Sequence, residues 1–352
     1  MNKEAFKNDR FIRSCYYRYK SIVSRKALKT AAEKCLEHFG RCFETSEDKN
    51  RLIADMISVY GAYGFAFDEY LLYDFENKSK EERVQFVADW EHLGYACVLN
   101  CPRNNIIFDN KNKTYERFQK YYKRKLLLFE RPEQYFEFEE FVLQHPTYIL
   151  KPLDMSCGNG IMIDKSSDHE NLKQWFEELL LKYNGRFIVE ELIIQADAMA
   201  KLHSSSVNTI RVPTIRLDEE VLIVNPFLRV GQGGRCVDNA GAGGIICALD
   251  GESGVVFATA DEHGNRFTEH PQTHVRLIDF KIPRWDEAKA FVSELAKVVP
   301  DNRYTGWDIA LTEDGWVLVE ANRRGQFVWQ IASQVGFRKE IDSILHRMGK
   351  KY

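Results

Sequence analysis

The sequence predicts an α+β fold: a mainly helical region over residues 1–108, then two mixed units over 109–194 and 195–352. Three observations predict it. Apolar residues recur at helical spacing through the first hundred residues, helix and strand patterns alternate from Asn110, and strand patterns dominate after Ala198. A chain of 352 residues also exceeds one ordinary core, so units sharing an interface are expected.

The elements follow in order. Ser79 and Glu82 form a capping box, with Val84, Val87, Trp90 and Leu93 behind it at helical spacing. Gly94 is expected to stop that helix before an apolar run over 95–99. Residues 114–122 read as helix, 125–129 as strand and 135–144 as helix. Short strands at 148–150 and 161–163 flank a glycine-bearing loop, and an amphipathic helix at 171–183 leads to a strand at 187–194. Strands then cover 209–216, 221–230, 244–249 and 255–260, with Asp250-Gly251 and Ser253-Gly254 supplying turn chemistry. A helix at 285–298, a hairpin and a closing helix complete the chain.

Composition narrows the function classes. Hydrophobic residues make up 44% and charged residues 29%, as in a soluble globular protein, and the net charge of -3 gives no reason to expect a nucleic-acid partner. No window approaches a membrane span and residues 1–24 show no apolar run like that of a secretory signal, so a cytoplasmic location is expected. The eight cysteines form no CxxC pair, which argues for reduced thiols over zinc. Local charge is less even. The first 34 residues interleave Arg10, Arg13, Arg18, Lys20, Arg25, Lys26 and Lys29 with Phe11, Tyr16, Tyr17 and Tyr19. They read either as a solvated helix with one aromatic face on the core, or as a contact for a polyanion or membrane surface.

The run from Thr305 to Asn322 carries the metal argument. A three-residue loop, Glu313-Asp314-Gly315, would place Asp308 opposite Glu320, with Asn322 two residues further along the same face. It would also collect Ile309, Leu311, Val317 and Val319 on the other face. A two-residue Asp314-Gly315 loop would instead send the two acids to opposite faces. Side chains directly opposite across strands have Cβ atoms roughly 4.5–5.5 Å apart; two carboxylates so placed repel unless a cation lies between them, and two Mg²⁺ ions can share such a pair while bridging phosphates. Asn322 adds a neutral oxygen of the kind hard cations accept.

Lys151 ends a strand and opens the loop KPLDMSCGNG, in which Gly158 and Gly160 would let backbone N–H groups approach phosphate. The spacing is neither the Walker loop nor the dinucleotide fingerprint. No Gly-x-Ser-x-Gly elbow supports a serine hydrolase, and the Lys-x-Asp-Gly pattern of a nucleic-acid ligase is missing.

Lys151-Pro, the glycine loop, Val189-Glu190-Glu191-Leu192-Ile193, then Asp308, Glu320 and Asn322 fall in an order that resembles ATP-grasp proteins. The motifs at 206–211, 238–244 and 306–308 resemble the sugar-transfer-associated branch, over about residues 105–340. The resemblance implies an ATP-grasp fold in which two α+β subdomains clasp ATP. It implies that Lys111 and Lys151 contact phosphates, with Lys113 and Lys125 as competitors of Lys111. Glu190 would accept from the adenine amino group, the 191–193 backbone would line the adenine, and Asp197 would hold the ribose. Asp308, Glu320 and Asn322 would bind two Mg²⁺, and Arg211, Asn208 and Arg324 form the catalytic group. Arg216, Arg229, Arg235 and Arg324 are candidate clamps for a substrate carboxylate. The implied activity is Mg-ATP-dependent joining of a small carboxylate, sugar-linked acids among them, to an amine through an acyl phosphate. The alternatives are a kinase-like transferase and a non-catalytic ATP-binding module.

Overall fold

The computed structural model describes residues 9–153, 160–234, 238, 243–326 and 328–352. Helices dominate the first part: α1 (Arg10–Val23), α2 (Arg25–His38), α3 (Ser46–Tyr63), α4 (Phe67–Leu72), α5 (Lys80–Arg83), α6 (Asp89–Leu99), α7 (Asn105–Asp109) and α8 (Lys111–Tyr122). A small unit follows with β1 (Leu126–Phe129), α9 (Tyr135–Gln144), β2 (Thr147–Pro152), β3 (Met162–Lys165), α10 (Leu172–Lys182) and β4 (Phe187–Glu191). After α11 (Asp197–Ala200) come β5 (Ile210–Leu217), β6 (Glu220–Ile223), β7 (Phe227–Val230), β8 (Ile245–Leu249) and β9 (Val256–Ala260). The chain ends with α12 (Trp285–Val298), β10 (Tyr304–Thr312), β11 (Gly315–Asn322), α13 (Trp329–Ser333) and α14 (Arg338–Arg347).

The Ser79–Glu82 capping box is present, but it starts only one turn, α5. Gly94 does not stop a helix; it lies inside α6. A Cβ at this position would overlap the Tyr352 ring, so the glycine admits that side chain instead of breaking the helix. The 221–230 stretch is two strands, separated where Asn225 takes φ 50° ahead of Pro226.

The small sheet has the antiparallel order β1-β4-β2-β3. One face packs Phe129, Tyr148, Leu150, Phe187 and Val189 against Phe138 and Phe141 of α9 and Phe176 and Leu179 of α10. Strand alternation sends Lys151 and Glu190 to the opposite face, from which Leu126 and Ile188 join the core of the large unit.

The large sheet runs β11-β10-β5-β7-β8-β9, with β6 beside β5. Both of its faces are covered, and β8 shows how. Ile245, Cys247 and Leu249 pack in a core with α8 and α12, while Ile246 and Ala248 pack with α3 and α13. A third cluster lays α6 and α14 over Ile215 and Tyr304 on that second face. The helical first hundred residues therefore wall the face of the large sheet that carries Asp308. No helix among the described residues is long and apolar enough to cross a membrane.

Candidate active site

The hairpin brings Asp308 opposite Glu320, by a route that differs from both loops weighed on the sequence. Thr312 pairs with Gly315, so the loop is Glu313-Asp314, and the register then shifts between Asp308 and Ile309. Val319 is the extra residue, and this β-bulge restores the Asp308–Glu320 pairing. Ile309 and Leu311 consequently share the core with Trp316 and Leu318, not with Val317 and Val319. Without the bulge Glu320 would turn toward α12; with it, Glu320 and Asn322 share the face of Asp308.

Asp308 is 1% exposed and clamped by two arginines. Arg211, its neighbour on β5, donates from Nε to one carboxylate oxygen and from Nη2 to the other at 2.9 Å. Arg229 of β7 adds Nη2 at 3.0 Å. Burial would raise the Asp308 carboxyl, but the two guanidinium groups outweigh it and hold it below the ordinary range. Behind them, Asp238 accepts from the Thr209 N–H at 2.8 Å and lies 3.7 Å from Arg229. Burial raises its pKa despite that cation. Arg229, a clamp candidate on the sequence, is thus a buried partner of Asp308.

Asp308, Glu320 and Asn322 suit a hard cation. A carboxylate offers about four lone-pair positions, and the three guanidinium bonds leave one on Asp308. Among the described residues Glu320 has no recorded hydrogen bond or ion pair, and the buried Nδ2 of Asn322 lacks a partner. The set supplies oxygen ligands only, as Mg²⁺ prefers.

A second charged centre lies on the small sheet. Glu190 is 1% exposed. It takes Lys151 Nζ at 2.5 Å and the Arg124 guanidinium on its other oxygen. Burial pushes its carboxyl up, yet these two cations bring it below the ordinary value. Arg124 also donates from Nη1 to the Leu318 carbonyl at 2.6 Å. Lys151, Glu190, Arg124 and β11 thereby form one chain of contacts that ends two residues from Glu320. The sequence reading missed Arg124, whose only signal was a cation at the mouth of β1.

The other site residues divide. Lys113 is exposed and pairs with Glu116, and Lys125 lies over the Phe141 ring. Lys111 opens α8, which packs on β11, and nearby Asp109 pairs with Arg323 at 2.7 Å. The backbone of Leu192 and Ile193 has no recorded hydrogen bond among the described residues, leaving that edge open. Glu191 turns its side chain to the Lys125 N–H and to His145. Asp197 is exposed near the hairpin tip, its N–H donated to Glu313 at 2.9 Å.

Asn208 does not join the charged centre. Its buried amide nitrogen is taken up by Gln195 and by the Met199 and His203 carbonyls, so it braces the segment leading into β5. Arg324 is half-buried with no recorded ion pair or hydrogen bond among the described residues. Burial first, then Arg323, lower its pKa. Arg216 is spent on the Pro300 and Asp218 carbonyls. Gly160 takes φ 75° and its carbonyl accepts from Tyr183 Oη at 2.9 Å. Gly158, Arg235 and Asn239 lie outside the described residues. His203, bonded to Ser206 and the Gly233 carbonyl, is structural.

Residues 92–346 match the profile of the sugar-transfer-associated ATP-grasp family. The chain belongs to that family. Solved structures similar to the chain are more distant. The ATP-grasp ligase PsnB complexed with a minimal precursor is 17% identical, with a TM-score of 0.44, over 72% of this chain and 63% of that one. D-alanyl-alanine synthetase A from Vibrio cholerae O1 biovar eltor is 11% identical at a TM-score of 0.41, again over 72% and 63%. The ADP complex of PurK, an N5-carboxyaminoimidazole ribonucleotide synthetase, is 12% identical at 0.40, over 62% and 46%. The ATP-grasp chain described here thus spans less than two thirds of the length of each. No curated protein matches it.

Proposed function

We propose that this ATP-grasp protein is a Mg-ATP-dependent carboxylate–amine ligase. The observation that carries the reading is the convergence of Asp308, Glu320 and Asn322 with Arg211 and Arg229, joined through Arg124 to the Lys151–Glu190 pair. A carboxylate is a poor electrophile. Transfer of the γ-phosphoryl group of ATP to it creates a leaving group that an amine then displaces, giving an amide, ADP and phosphate.

In this reading Asp308, Glu320 and Asn322 hold Mg²⁺, which would neutralise charge on the transferring phosphoryl group. Lys151 supplies a point charge to phosphate, aimed by its ion pair with Glu190. Glu190 therefore acts through Lys151, and the open backbone edge at Leu192 and Ile193 receives the adenine. Lys111 would assist at the phosphates and Asp197 at the ribose. Arg211 and Arg229 neutralise Asp308 until a cation shares it, and then stabilise anionic oxygens of the acyl phosphate. Arg324 would clamp the substrate carboxylate. The substrates are small acids and amines, sugar-linked acids being the class the family description suggests, and the setting is the cytoplasm.

The test is nucleotide analysis during incubation with Mg-ATP, sugar acids and amino acids. ADP release that requires both an acid and an amine is expected. Release of AMP and pyrophosphate would refute the acyl-phosphate route. ADP with a phosphorylated product and no need for an amine would make the protein a kinase.

A further inference from the structure

The face of α1 turned away from the protein is both apolar and cationic. Its other side is docked: Tyr17 packs on Tyr60 and Trp90, and Arg13 stacks over the Trp90 ring. A Cβ on Gly61 of α3 would fall 2.5 Å from Ser21 Oγ, so the two helices are in close contact there. The outer side carries Phe11, 77% exposed, Tyr19 at 61%, Ile22 at 71% and Val23 at 55%. Phe11, Cys15, Arg18, Tyr19 and Ile22 fall within one arc of about 100° on a helix of 3.6 residues per turn. Leaving an apolar stripe exposed to water is unfavourable, so large side chains held out at this spacing suit a second phase.

Charge identifies that phase. From Arg10 to Ala32 the chain has seven basic residues and no Asp or Glu. Arg10 is engaged by Glu91 and Asp342, and Arg13 by Trp90. Arg18, Lys20, Arg25, Lys26 and Lys29 have no acidic partner among the described residues. Cations flanking exposed Phe, Tyr and Ile fit the boundary between anionic headgroups and acyl chains, where both components contribute. A nucleic acid would match the charge but leave Ile22 and Val23 in water.

We propose that α1 and the first turns of α2 form a docking surface for an anionic membrane. The face would hold the protein at a lipid surface without spanning it, and it uses no residue of the candidate active site.

Sedimentation of the full chain with vesicles tests this. One set is phosphatidylcholine alone, the other phosphatidylcholine and phosphatidylglycerol in roughly equal parts. Binding is expected to the mixed vesicles only, and to weaken with salt. Ile22→Asp, and Arg18→Glu with Lys26→Glu, should each weaken it at least about tenfold, with unchanged melting because these side chains are exposed. Phe11→Trp should show a blue-shifted emission on mixed vesicles. Equal binding to both vesicle types, no binding to either, or binding insensitive to Ile22→Asp with no shift at Trp would overturn the proposal. So would binding of heparin or DNA without binding of vesicles.

Discussion

Arg124 and Leu318 join the two lobes: the guanidinium that holds Glu190 of the small sheet donates 2.6 Å to the Leu318 carbonyl of the large one. The buried side chain thus fixes Lys151 relative to Glu320. Arg124→Met should lower kcat/KM for ATP at least about tenfold, a loss of about 1.4 kcal/mol. Arg124→Lys should restore little, since an ammonium lacks the planar fork that serves two acceptors. Steady-state ADP release checks both, and unchanged kinetics would remove Arg124 from the site.

Asp308 and Glu320 should respond differently to removal, because one has buried partners and the other has none recorded. Asp308→Ala leaves Arg211 and Arg229 buried without their carboxylate, a change that costs about 3–5 kcal/mol. Loss of activity in that variant would therefore mix unfolding with chemistry. Glu320→Gln should keep stability within about 1 kcal/mol while raising the Mg²⁺ concentration needed for half-maximal activity. Denaturant melts and a Mg²⁺ titration separate the two effects. An Asp308→Ala protein as stable as the parent would refute the clamp.

The parts of this site that show in the sequence are those set by local periodicity. The 135–144 and 285–298 helices follow from apolar spacing, whereas Asp308 faces Glu320 only because a bulge offsets a loop one residue shorter than the alternation implied. What does not show depends on distant partners or a one-residue irregularity. Val319 is an ordinary strand residue in composition, so nothing marks it as a bulge. Arg124 draws its role from residues 66 and 194 positions away. Arg229 looks like a free clamp until β7 sets it beside Asp308.

Gly94 makes the same point and can be measured. Its missing Cβ is the space filled by the Tyr352 ring, which also packs on Tyr95 at 4.8 Å between centroids. Alanine is ordinarily the better helix former, by about 1 kcal/mol. Here Gly94→Ala should instead destabilise by about 1–3 kcal/mol through overpacking. Combined with Tyr352→Ala, which empties the space, the alanine should become neutral or stabilising. Additive losses in urea melts would refute the contact.

Glu190 predicts an acid-sensitive stability. Its folded carboxyl lies below the ordinary 4.5, since Arg124 and Lys151 outweigh burial. A depressed carboxylate contributes stability that is complete above its unfolded pKa and lost as pH falls through its folded one. Glu190→Gln should therefore be clearly less stable than the parent at neutral pH. The difference should shrink on acidification below about pH 4.3. Melting curves across pH 3 to 7 (roughly the carboxylate range) check the sign. A gap that widens on acidification would overturn it.

Arg324 is half-buried, and the groups around it compensate its charge only in part. Burial and Arg323 disfavour its cation, with Asp109 and Asp89 offering partial relief. An arriving carboxylate would relieve that strain, and its paired oxygens match the guanidinium fork. A hydrogen bond to a charged group contributes about 1.5–3 kcal/mol, so Arg324→Met should raise KM for the acid about 10- to 150-fold. Because the charges around Arg324 are Arg323, Asp109 and Asp89, with none from the 190–193 segment, KM for ATP should change little. Arg324→Lys should recover part of the loss, keeping charge but not the paired geometry. If ATP affinity fell instead and acid affinity stayed, Arg324 would belong with the proposed phosphate-binding residues, and the carboxylate clamp would have to be sought elsewhere.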